Sequence, residues 1–366
     1  MGKELSDKAI SRRQLLKTLA VAGLAVGGAG SLLSSGCSTA PQAPAAPAKT
    51  EAAGKPDVDA AKKEGVVSLY TSLDIAIVDS IIAPFKQKYG IDVKYYRAGS
   101  RDVSTKLLNE WDAKQYNCDV LDCSDVPTFK VMMGRNMLVP YRAATWDAYP
   151  ADLKDKDGYW CADRLTQVII GYNTNVIKGA DIPKGWADLA DPKYSGKLVM
   201  QEPSGFTARI YTVVTNMKDG WDWLAKVGKN KPKYVQTVQV MGQMNETGEI
   251  PVSIFQNDNI MARSKSTGKP VDLVFPQEGL PTEPGALGYM ANAAHPNAAR
   301  LFIDWWLGDE GQKLNVAGFK YSPRPDMDPP KGCPKLSTLK LWQEDNEYLE
   351  KNLNDVADKI TKALNG

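Results

Sequence analysis

Histidine is nearly absent from this chain: His295 is the only one among 366 residues. A hydrolase pairing Ser or Cys with an imidazole would have to use that residue. It stands in an Ala-His-Pro-Asn turn, where a place at the start of a helix is the simpler reading. Also missing are the G-x-S-x-G nucleophile elbow, the H-E-x-x-H zinc helix and the G-x-x-x-x-G-K-[ST] phosphate loop. Charge of one sign is lacking as well, since 45 Lys and Arg face 43 Asp and Glu. Without the first 36 residues the balance is 40 against 41, so no basic surface for nucleic acid is expected. The apolar run Leu19–Leu33 is short and rich in Gly and Ala for a spanning helix. Cysteines number five.

What is present begins with an export leader. Ser11-Arg12-Arg13-Gln14-Leu15-Leu16-Lys17 matches the twin-arginine pattern, and the apolar run follows it. Leu33-Ser34-Ser35-Gly36-Cys37 then has the form of a lipoprotein cleavage site, with Leu33 one place earlier than usual. Residues 1–36 are therefore expected to be removed and Cys37 to be lipidated, which anchors the protein to a membrane on the periplasmic side. Residues 37–60, rich in Pro, Ala and Ser, are expected to form a flexible tether. The remaining Cys118, Cys123, Cys161 and Cys333 fit no zinc spacing. In an oxidising compartment they are either thiols or include one disulfide, and Cys118 and Cys123 stand too far apart along one strand to be bridged.

The rest of the chain is long enough for two lobes, and 43% apolar with 24% charged residues suits a soluble globular protein. Val66–Tyr70, Ile91–Tyr96 and Cys118–Asp122 read as strands, alternating with helices over Ile75–Tyr89 and Val103–Ala113. Such alternation predicts an α/β fold with a parallel sheet flanked by helices, and ligands gather beyond the carboxyl ends of its strands. Those ends carry Ser72 and Asp74, Ser124 and Asp125, and Asn257 and Asp258. Two loops, Gly99-Ser100-Arg101 and Ser204-Gly205-Phe206-Thr207, open helices and so present free N–H groups to an anion. Arg101 can bind a carboxylate or phosphonate bidentately, or can simply be a solvated helix residue. Ser204 can equally be a helix cap. Tyr172 and Asn173 sit on the long run Leu165–Thr174, where Tyr172 can offer a ring face and a hydroxyl or serve as core. Trp186, Trp221 and Trp223 read as core rather than as a platform.

Two segments carry a family resemblance. Residues 286–318 (ALGYMANAAHPNAARLFIDWWLGDEGQKLNVAG) run as strand, turn, apolar helix and second helix. Residues 185–197 (GWADLADPKYSGK) precede them by about a hundred positions. Both resemble signatures of bacterial extracellular solute-binding proteins, of the ferric iron, phosphonate and thiamine branch, and the likeness extends over roughly residues 65–325. It implies a two-lobed periplasmic binding protein fold (type II-like). Residues 61–168 would form the first part of lobe 1, residues 169–281 lobe 2, and residues 282–366 the return to lobe 1, with C-terminal helices on its outside.

The resemblance further implies a monomeric, non-enzymatic component of an ABC importer. It would need no cofactor and would deliver a small polar solute to a permease with a cytoplasmic ATPase. Relatives that bind ferric iron use His and Glu from the first lobe and paired Tyr from the second. Those positions fall at Asp74, Ser124, Asp258 and Asn259 here, so the ferric ligands are not kept in type. The Tyr95-Tyr96 pair cannot replace them, because it lies on a first-lobe strand that points the two rings apart. Ser72, Asp74, Ser124, Asn257 and Asp258, with Ser100, Arg101, Tyr172, Ser204, Gly205 and Thr207, therefore point to a phosphonate, carboxylate or zwitterion. Iron held by atypical ligands and an exported enzyme on the same scaffold are the alternatives.

Overall fold

Helix formation over Ile75–Tyr89 shows how the local signals act. Asp74 accepts a hydrogen bond from the Ala76 N–H (3.0 Å), and Gly90 ends the helix at φ 72°, its N–H bonded to the Lys86 carbonyl. Ile77, Ile81 and Phe85 recur on the buried face. There Phe85 meets Phe302 edge-on, with ring centroids 4.9 Å apart. The computed structural model describes residues 56–366. The leader, Cys37 and most of the expected tether lie outside them.

Among the described residues, eleven strands form one mixed sheet. They are β1 (Val66–Thr71), β2 (Asp92–Arg97), β3 (Val120–Cys123), β4 (Leu138–Val139), β5 (Trp160–Asn173), β6 (Leu198–Gln201), β7 (Lys233–Val235), β8 (Val252–Asn257), β9 (Val271–Val274), β10 (Leu280–Met290) and β11 (Leu341–Trp342). The main path runs β2-β1-β3-β10-β5-β8-β6-β7. β1 pairs in parallel with β2 and β3 at one end, and β6 with β7 and β8 at the other. The long β5 and β10 join the two halves.

β5 has 14 residues and, at about 3.3 Å per residue, a reach of about 45 Å. It pairs with β10 through Gln167 and with β8 from Val168 onward. The apolar cores divide accordingly. Helices Ile75–Tyr89 and Pro296–Leu307 bury one first-lobe cluster, and Val103, Leu107, Phe129 and Met132 lie in another. Trp186, Phe206, Phe255 and Trp223 belong to the second-lobe core, and Trp221 packs against it.

The C-terminal helix Asn346–Asn365 does not pack on the first lobe as its position in the chain suggested. Leu349, Val356, Ile360 and Leu364 join the second-lobe cluster that holds Trp223, Leu224 and Val227. A Cβ at Gly228 would collide with the Leu364 backbone, so a side chain there would push this helix away. Its apolar stripe matches the face left open by helices Pro203–Asn216 and Gly220–Lys229, which is why it returns to that lobe.

Cys118, Cys123, Cys161 and Cys333 are all free thiols, the first three buried. Burial raises each of them, Cys118 and Cys161 most strongly and Cys333 to about 12, so none is a ready nucleophile.

Candidate functional site

β5 carries polar residues where a central strand is otherwise apolar. Asp163, Arg164, Thr166 and Gln167 are all buried. Arg164 sends its Nη1 to Asp122 at the end of β3 and to both oxygens of Asp163 (2.9 Å). Strand β10 lies between β3 and β5, so the guanidinium must cross it, and it does so over Gly285. A methyl group at Gly285 would collide with the guanidinium, so only glycine leaves that passage open. The Nη2 group then emerges toward Ser124 Oγ (3.2 Å) and Ser72 Oγ (3.4 Å). Burial pushes the Asp163 carboxyl up to about 7, against the pull of Arg164.

Lys320 reaches the same place from the far end of the chain. It is 6% exposed and donates to Thr166 Oγ1 and Asn259 Oδ1, both at 2.9 Å. Neither partner is charged, and among the described residues no carboxylate stands within ion-pair distance. Burial lowers the ammonium to about 8, with Asp258 opposing, and burial raises Asp258 itself to about 7. Asp258 is fully buried and accepts from the Gln167 N–H (3.1 Å), while its second carboxyl oxygen has no partner.

These groups surround a cavity of 190 Å³. Its walls include Ser72, Asp74, Arg97, Ser100, Ser124, Arg164, Thr166, Arg209, Asn257, Asn259, Glu283 and Lys320. A wider mouth adjoins it, shared by Ser72, Asp74, Arg97 and Ser100 and bounded by Gln201 and Gln236–Gln239. Helices Ser100–Asp112 and Asp258–Ser266 both start here, and no side chain caps their first turns. Their free N–H groups add positive potential to that of the side chains.

Arg209 is paired bidentately with Glu283 and donates its Nη1 to the Phe255 carbonyl (2.9 Å). Phe255 has φ 61°, a conformation costly for a side-chain-bearing residue, and Trp186, Phe206 and Trp223 pack around it.

The structure thus brings Ser72, Asp74, Ser100, Ser124 and Asn257 to one cavity, while Asp258 is fully buried, lines no part of it and acts on Lys320 only through its charge. It does not bring the others. Arg101 is exposed on the outer side of its helix and lines no part of the cavity. Tyr172 is 7% exposed in the second-lobe core, opposite Val252 and Asp272, because the inner half of β5 buries both faces. Ser204 and Gly205 are exposed, and Glu202 rather than Ser204 occupies the cap position. Thr207 is buried and satisfied by the Pro203 carbonyl within its own helix (3.1 Å).

The cations missed in the sequence are Arg164, Lys320, Arg97 and Arg209. One signal pointed to the first, namely the Asp-Arg and Thr-Gln pairs inside an apolar strand. His295 lies apart, its Nδ1 2.8 Å from Asp119. Among the described residues no group of three or more His, Cys, Asp or Glu converges in a way that could hold a metal ion. Nor is any described helix long and apolar enough to cross a membrane.

Residues 118–352 match the family model of the bacterial extracellular solute-binding proteins, which is more than half of the chain. The chain belongs to that family. The Fe(3+)-binding periplasmic protein of Serratia marcescens is 23% identical over 265 residues, covering 70% of this chain and 77% of that protein. The fold is that of the periplasmic binding protein AfuA of Actinobacillus pleuropneumoniae, solved with exogenous fructose-6-phosphate bound. The match has TM-score 0.69 and 23% identity, and covers 81% of this chain and 99% of that one. Iron-bound HitA of Pseudomonas aeruginosa also superposes, with TM-score 0.66, 20% identity, 81% of this chain and 98% of that one.

Proposed function

We propose that this protein is the substrate-binding component of an ABC importer and captures a small organic solute bearing an oxyanion. Its two lobes would close around the solute by bending at β5 and β10. The permease and its ATPase would then accept the closed form. No bond is made or broken. The observation that carries this reading is the pair Lys320 and Arg164, two buried cations with donor groups in a 190 Å³ cavity walled by hydroxyl and amide side chains. A phosphate, phosphonate or carboxylate matches that set of donors. The Actinobacillus protein, solved with a sugar phosphate, supports the same ligand chemistry.

Ferric iron fits less well. A hard trivalent cation needs several anionic oxygen ligands, whereas this cavity offers two buried cations and no tyrosine. The proposal includes export through the twin-arginine leader of residues 1–36, a lipid on Cys37, a tether over 37–60, and function as a monomer.

Native mass spectrometry of protein purified without added ligand tests the reading. An organic adduct of a few hundred daltons, lost on denaturation, is the expected result. An adduct with the mass of one iron atom would overturn it. Phosphate, phosphonates and carboxylates should raise the melting temperature by mass action.

A further inference from the structure

Beside the basic cavity lies a second one, of 300 Å³, and the two share Ser124 and Glu283 in their walls. Its chemistry is different. Val126, Trp160, Leu165 and Leu341 make its lining mainly apolar, and Glu344 stands among them. Glu344 is half-buried and its carboxyl makes no hydrogen bond, while burial and the neighbouring Glu283 push it up to about 8. Its position is set from both sides. Gln343 donates to Asp152 across the cavity (2.9 Å), and the preceding Trp342 is 5% exposed.

An inorganic anion would fill the first cavity and leave the second to water, which an apolar lining holds poorly. A carboxyl without a partner in such a place calls for a hydrogen-bonding group from elsewhere. The two cavities also divide the work of a binding cleft in the usual way. A few fixed polar groups orient one end, and apolar walls take the body.

From this we infer that the solute has two ends: an oxyanion head held by Arg164 and Lys320, and a short hydrocarbon or ring body in the second cavity. The body carries a hydrogen-bond donor, an ammonium or a hydroxyl, that meets Glu344. This rests on the anion reading of the first cavity, and it adds what lies beyond the head.

The test is a titration of the purified protein with inorganic phosphate, then with alkylphosphonates and alkylcarboxylates of one to four carbons. The same chains bearing a terminal amine or hydroxyl complete the set. Affinity should rise about fourfold for each methylene that enters the cavity. The terminal donor should strengthen binding further in the wild type and give no gain in Glu344→Leu, whose side chain accepts no hydrogen bond. Leu341→Trp, which fills the cavity, should flatten the chain-length series. A melting curve checks that both variants fold. Heads that bind with no dependence on chain length or terminal donor overturn the two-ended solute and leave the anion reading standing. If no head binds in either series, the anion reading itself fails and the inference falls with it.

Discussion

Asp74 of the first lobe and Arg263 of the second stand 3.5 Å apart at the rim of the cleft. Arg263 also reaches toward the Gly318 carbonyl (3.4 Å). Under the proposed closure of the lobes around a solute, this pair would have to part for the solute to enter. Both side chains are 34% exposed, so the ion pair is worth only about 0.5–1 kcal/mol. Arg263→Ala should weaken binding by about two- to fivefold, mostly by faster release. Stopped-flow dissociation measures this, and an unchanged release rate would show that the pair does not hold the lobes together. Asp74 is the poorer probe because it also caps Ile75–Tyr89.

The buried group formed by Arg164, Asp122 and Asp163 makes a sharper demand. Removing the cation leaves two carboxylates in the interior, at a cost of about 3–5 kcal/mol. Arg164→Met should therefore lower unfolding stability by that amount in urea and also remove anion binding. Gly285→Ala should act on the same guanidinium without deleting it, by blocking its passage over β10. It should weaken anion binding at least tenfold, as read by calorimetry.

Lys320 gives the binding a pH dependence of definite sign. Burial lowers its ammonium to about 8, and a bound oxyanion would stabilise the charged form and raise that value. Binding then takes up protons, and affinity falls as pH climbs through about 8. Calorimetry in buffers of different ionisation enthalpy reads the uptake directly. The slope should vanish in Lys320→Met.

Asp258 acts on stability at lower pH and from the opposite chemistry. Its folded value of about 7 lies above that of an unfolded aspartate, so the native state holds the proton longer. The unfolded chain binds fewer protons between about pH 4 and 7, and stability drops as pH rises through that window. Asp258→Asn should flatten the fall, measured by urea midpoints at a series of pH values.

Ile360 tests the unexpected place of the C-terminal helix. It is 0% exposed within the second-lobe core. Ile360→Ala should cost about 2–5 kcal/mol and show as a loss of stability in that lobe. A change below 0.5 kcal/mol in the urea transition would contradict the packing.

Much of this protein is legible in its order of residues. Capping residues, glycines and apolar spacing mark the helix Ile75–Tyr89 and the first three strands, because those signals act over a few positions. The two motif segments place the chain in its family, since they keep a local strand-turn-helix pattern. Ser72, Asp74, Ser124 and Asn257 could be placed in the cleft from strand ends alone, as loops beyond parallel strands must gather there.

Tertiary structure decided which cations face those loops. Arg101 follows the right glycine, yet its helix turns it outward. Arg164 lies inside a buried strand and needs Asp122, Asp163 and the gap over Gly285 to reach the cleft. Lys320 comes from more than 150 positions downstream of Thr166. Charge burial is set by partners that meet only across the sheet, and the pattern along the chain does not record them. The same holds for the C-terminal helix, whose stripe shows that it must pack, while the open face on the second lobe alone determines where.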